Sequence, residues 1–110
     1  MAWTPWRKVG DRQSWYVDHC LRIAVCYELG VASPYDREEP EVVYVGAAES
    51  EALELERLGR GEHPAQARAE AAIARDRAIY YRAVGAPTYA QAQALRDERL
   101  AARAAPPAWG

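Results

Sequence analysis

The chain has 110 residues, of which 50% are hydrophobic and 27% charged. That is room for one small globular domain, and the composition excludes a disordered tail. A formal net charge of -2 excludes a whole-chain basic field, so any nucleic-acid binding must come from a local basic face.

No apolar run approaches the roughly 18 residues of a membrane span, and Met1–Lys8 lacks the apolar core of a signal peptide. These features lead to the expectation of a cytoplasmic protein. Cys20 and Cys26 are too few for a secreted disulfide framework and read as free thiols. Of 14 basic residues only Lys8 is lysine, and Phe is absent. Aromatic packing must therefore come from tryptophan and tyrosine.

Residues 1–21 hold Trp3, Trp6 and Trp15 with Pro5 and Gly10. They read as an irregular arm that lays its rings on the core, with a short helix over Trp15–Leu21. Residues 22–110 form the domain proper. The run Arg22–Leu29 is β-prone and is ended by Gly30. Val31–Pro40, with two prolines and several charges, is a surface loop. Glu41–Val45 is a second strand, closed by Gly46. Ser50 can cap a helix to about Leu58, broken by Gly59 and Gly61. Pro64 suits the first turn of a second helix, Ala65 to Asp76. Ala78–Val84 reads as a third strand, stopped by Gly85-Ala86-Pro87. Thr88 is a candidate N-cap for a last helix, Tyr89 to Ala104, ended by Pro106-Pro107. The order β-β-α-α-β-α predicts an α+β domain: a three-stranded antiparallel sheet flanked by helices.

The sequence holds no glycine-rich phosphate loop, no CxxC pair and no HExxH. His19 beside Cys20 has only His63 as a further histidine, which is a poor basis for a metal site. The arginines Arg68, Arg75, Arg77 and Arg82 either line a nucleic-acid groove or solvate the second helix.

Two strand ends carry the most specific pattern. Val25-Cys26-Tyr27 lies in the first strand, and Tyr44-Val45-Gly46-Ala47-Ala48 ends the second. Arg57 follows on the next helix, and Glu98 lies on the last helix, four residues after Ala94. Pro107-Ala108-Trp109-Gly110 closes the chain. Over roughly residues 22–109 this order resembles the GIY-YIG nuclease superfamily. Val25 stands where the family has its leading glycine, and Gly110 where it has a terminal asparagine. Glu54 occupies the usual arginine position, with Arg57 three residues beyond.

The resemblance implies a metal-dependent endonuclease acting on DNA, duplex or branched. Tyr27 or Tyr44 would take the proton from water, and Arg57, or Arg60 one turn later, would hold the phosphate. His63 would match a downstream catalytic position, and Gly46 would allow close approach to the backbone. Glu98 would bind one Mg²⁺ or Mn²⁺, an ion that keeps its waters and takes few protein ligands. A protein partner could supply specificity, and the chain would act as a monomer or homodimer. Each of these residues also has an ordinary role: strand tyrosines pack, and helix arginines and glutamates pair on the surface. The alternative is a catalytically inactive GIY-YIG-like scaffold that binds nucleic acid or protein. A helix-turn-helix over Pro64–Ala104 is opposed by the strand-like Ile79-Tyr80-Tyr81.

Overall fold

A computed structural model of the chain describes residues 3–9, 23–33, 35, 39–59 and 61–109. The expected helix over Trp15–Leu21, His19, Cys20, Arg60 and Gly110 lie outside the described residues.

The elements in chain order are β1 (Arg7–Val9), β2 (Ala24–Ala32), β3 (Glu41–Ala48), α1 (Glu51–Gly59), α2 (Gln66–Ala74), β4 (Ala78–Ala86) and α3 (Tyr89–Ala101). The α+β class and the order expected for residues 22–110 are observed. The sheet, however, has four strands, in the order β1-β4-β2-β3, with every pairing antiparallel. The extra strand comes from the N-terminal arm. Arg7, Lys8 and Val9 pair with Tyr81, Tyr80 and Ile79. Thr4 prolongs the contact: its N–H donates to the Ala83 carbonyl at 2.8 Å, and its hydroxyl accepts from the Ala83 N–H at 3.0 Å. Three residues are too short to show strand alternation, so this pairing is set by the open edge of β4 and not by local propensity.

Strand alternation sorts the side chains onto two faces. Val25, Tyr27 and Leu29 of β2 share one face with Tyr81 and Ala83 of β4, and Leu55, Ala65 and Ala69 from the α1–α2 region cover them. A bulge at Leu29/Gly30 leaves Val43 without a β2 partner. Val43 and Tyr44, although adjacent, therefore both reach this cluster. Ala24 and Cys26 face the other way, where Ala92, Leu95 and Leu100 of α3 and the Trp3 ring cover them.

The capping residues act as expected. The Ser50 hydroxyl accepts from the Leu53 N–H at 3.5 Å. The Thr88 hydroxyl accepts from the Gln91 N–H at 3.2 Å and starts α3. The C-terminal residues shield the outer edge of β3: the Trp109 N–H donates to the Val43 carbonyl at 2.9 Å, and Arg103 donates to the Val42 carbonyl at 3.2 Å. Capping these edge acceptors removes a template for strand addition by another chain.

Glu28 sits in the middle of β2 on the α3 face and is only 2% exposed. Its carboxylate accepts from Arg82 at 2.6 and 2.7 Å and from Arg99 at 3.1 Å. The Arg82 guanidinium lies over the Trp6 and Trp3 rings, and that of Arg99 over Trp3. One buried charge thus ties β2, β4, α3 and the arm together. Cys26 beside it is free and buried. Desolvation and the Glu28 charge push its thiol up to about 11, which leaves it protonated and a poor nucleophile at neutral pH.

Candidate functional site

The site forms where β2 begins and β3 ends, beside the start of α1, whose Glu51 N–H donates to the Ile23 carbonyl at 2.9 Å. Tyr27 lies opposite Gly46 in the β2–β3 register, so both point to the α1 face. A side chain at Gly46 would collide with the Tyr27 ring, since its Cβ would stand 2.5 Å from Cζ. Glycine therefore gives the ring its seat. The close approach expected of Gly46 is toward a side chain of its own sheet.

Tyr27 is 1% exposed, and its hydroxyl has two partners. His63 Nε2 lies at 2.6 Å and Glu54 Oε2 at 2.8 Å. The direction of each bond follows from His63. Its Nδ1 accepts from the Ala65 N–H at 3.0 Å, so a neutral ring carries its proton on Nε2. Burial lowers the His63 pKa below its ordinary value, with Glu54 opposing and Arg57 reinforcing that shift, and the ring is neutral at pH 7. Nε2–H then donates to the tyrosine oxygen, and the tyrosine O–H donates to Glu54. Desolvation, followed by the Glu54 charge, raises the Tyr27 pKa well above the ordinary phenol value.

Tyr44 packs at the same place. Its ring centroid lies 5.9 Å from that of Tyr27 and 5.1 Å, edge-on, from the His63 ring. Tyr81 stacks on the other side of Tyr27 at 5.9 Å and donates to Glu51 Oε2 at 2.7 Å. Glu51 and Glu54 stand three apart on α1 and so share one face. With Leu55 they form its inner side.

Arg57, half-exposed, donates from Nη1 to Glu54 Oε1 at 3.0 Å. Together the two line a cleft of about 280 Å³ with Glu49, Ser50 and Tyr89. Glu54 thus offers one oxygen to the buried phenol and the other to the arginine at the cleft.

The structure therefore gathers Tyr27, Tyr44, Gly46 and His63 in one cluster, with Arg57 joined through Glu54. Glu98 is not among them. Fully buried Ala92 marks the inner side of α3, and Glu98, six residues on, lies about 120° around the helix. Its side chain is exposed. The apolar side of α3 packs on the sheet face opposite Tyr27. Tyr89, the α3 residue that lines the cleft, is about 13 Å from Glu98 along the helix axis.

The carboxylate that the sequence resemblance implies for a divalent ion, Glu98, does not join this donor set. The Glu54 oxygens are engaged by Tyr27 and Arg57, and Glu98 is elsewhere. Among the described residues no group of three or more His, Cys, Asp or Glu side chains could hold a metal ion. No helix among them is long and apolar enough to cross a membrane.

Sequence reasoning missed Glu54 and Glu51 as partners of buried tyrosines. The available signal was Glu51, Glu54 and Leu55 at helical spacing, which puts two carboxylates on the face that meets the sheet. Comparison with protein-family models, curated proteins and solved structures finds no match to this chain.

Proposed function

We propose that the chain is a divergent GIY-YIG-like domain that binds nucleic acid without hydrolysing it. The element order and the meeting of Tyr27, Tyr44, Gly46 and His63 support the resemblance. The observation that carries the loss of hydrolysis is the Glu54 carboxylate on the Tyr27 hydroxyl, 2.8 Å away.

Three physical consequences follow. The phenol oxygen already accepts a hydrogen bond from His63 and its O–H donates to Glu54, so the hydroxyl is held in place as a neutral donor. Its raised pKa keeps it neutral, the reverse of what a phenolate base needs. A phosphate approaching the hydroxyl meets Glu54. At about 4 Å two unit like charges repel by about 4 kcal/mol at an effective dielectric of 20. Arg57, 3.0 Å from Glu54, offsets part of this repulsion, but the Glu54 contact occupies one of the donors with which its fork would hold a phosphate.

A cytoplasmic setting suits this reading, since the buried Cys26 thiol is free. Binding of DNA or RNA would then fall to a basic surface outside the tyrosine cleft.

The second reading is a Mg²⁺- or Mn²⁺-dependent DNA endonuclease, favoured by the convergence of Tyr27, Tyr44, His63 and Arg57 beside an open cleft. One experiment separates the two. Purified protein is incubated with supercoiled plasmid and either ion, and its binding to labelled oligonucleotides is measured in parallel. The expected result is salt-dependent binding with no nicking above an EDTA control. EDTA-sensitive nicking that is lost in Tyr44→Phe and in Arg57→Ala would establish the nuclease.

A further inference from the structure

A second concavity, away from the tyrosine cleft, lies between α2, β3 and the C-terminal residues. It measures about 460 Å³, and its lining includes Arg68, Arg75, Arg77, Glu41 and Trp109, a volume within the range of ordinary ligand sites. Arg68 on α2 and Arg75 at its C-terminal cap are seven residues apart, about 10 Å along the helix axis, and both line the groove. Arg77 follows the turn that leads into β4. Arg68 donates to the Ala108 carbonyl at 2.8 Å, which fixes the chain where Trp109 enters the groove. A guanidinium has five N–H donors, so Arg68 keeps others for a ligand. Among the described residues neither Arg75 nor Arg77 has an ion-pair partner. Three cations thus face one carboxylate, Glu41.

Resting on the nucleic-acid reading above, we infer that this groove is the binding site, and that its ligand is a single strand. Phosphates meet Arg68, Arg75 and Arg77 through planar forks that match their oxygens. The half-buried Trp109 ring offers a face on which an unstacked base can lie. A duplex keeps its bases stacked inside and cannot use that ring. Because the chain as a whole is acidic, attraction is confined to the groove and is strongly salt-dependent.

The test is fluorescence anisotropy with labelled 12-nucleotide dT and U oligomers and a 12-base-pair duplex. For three phosphate contacts, log K against log salt falls with a slope of about -2, or roughly 20-fold between 50 and 200 mM salt. Arg75→Gln with Arg77→Gln removes two contacts and should bring the slope to about -0.7. Glu41→Gln should tighten binding, a readout that a merely destabilising change would not give. Circular dichroism of each variant checks that it is folded. Single strands should bind more tightly than the duplex. Unchanged affinity and slope in the double arginine variant, with the wild type still binding, would overturn the groove and leave the nucleic-acid reading standing. Equal or tighter duplex binding would overturn the single-strand assignment. Absence of binding to all three probes would defeat both readings. Metal-dependent nicking would defeat only the non-hydrolytic claim.

Discussion

Replacing Glu28 with alanine should cost about 3–5 kcal/mol of folding stability, the range for breaking a buried ion pair from one side. The carboxylate is 2% exposed and receives two arginines. Removing it leaves two positive charges facing each other beneath α3 and the arm. Arg82 and Arg99 keep some solvent access, with side chains 22% and 40% exposed, so the cost falls toward the lower end of that range. The converse change is harsher. Arg82→Met combined with Arg99→Met strands a carboxylate that has no route to water. A small domain holds about 5–15 kcal/mol in total, so either change removes a large share. Urea unfolding followed by tryptophan fluorescence measures it, with equal m-values required for a fair comparison. A loss under 1 kcal/mol for Glu28→Ala would mean that the network contributes little to the fold.

Gly46→Ala should be more damaging than the same change at Gly30 or Gly85. The added carbon would lie 2.5 Å from Cζ and 2.7 Å from both Cε1 and the hydroxyl oxygen of Tyr27. The ring cannot simply retreat, because Tyr44 and Tyr81 pack against it. Overpacking of a core costs about 1–3 kcal/mol. A phenol pushed off Glu54 and His63 adds about 1–3 kcal/mol for buried groups left without partners. Tyr27→Phe alone loses only the hydrogen bonds and should cost less than Gly46→Ala. Thermal unfolding of both variants tests the order, and a Gly46→Ala protein as stable as wild type would refute the close packing described.

Where each strand or helix was written in local pattern, the sequence disclosed it. Val42-Val43-Tyr44-Val45 and Ile79-Tyr80-Tyr81 are β-prone, and both form strands. Thr88 announces α3 because its hydroxyl satisfies a helix N–H whatever the rest of the fold does. Arg7–Val9 gave no such signal, since the partner that makes it a strand lies some 70 residues away. The site divides along the same line. Tyr27, Tyr44 and His63, picked out through the resemblance, lie together in one cluster. The role of Glu54 was not legible, because an acidic residue on an amphipathic helix looks like any solvated glutamate until the β2 tyrosine is set beside it. Glu28 illustrates the same gap: a lone charge within an apolar strand run marks a buried ion, but its partners come from β4 and α3. Glu98 was selected by its distance from Ala94 and from the chain end. Helical phase, fixed by buried Ala92, turns it toward solvent.

The most direct measurement is the protonation state of Tyr27 itself. Tyrosine labelled with carbon-13 at Cζ reports it, because the Cζ resonance moves on ionisation, and Tyr27→Phe assigns the signal. A free phenol ionises near pH 10. With the proton held between Glu54 and His63 in a dry pocket, the Tyr27 signal should remain that of the neutral phenol up to pH 10. A phenolate signal at pH 8 or below would contradict the account and restore Tyr27 as a base able to activate water.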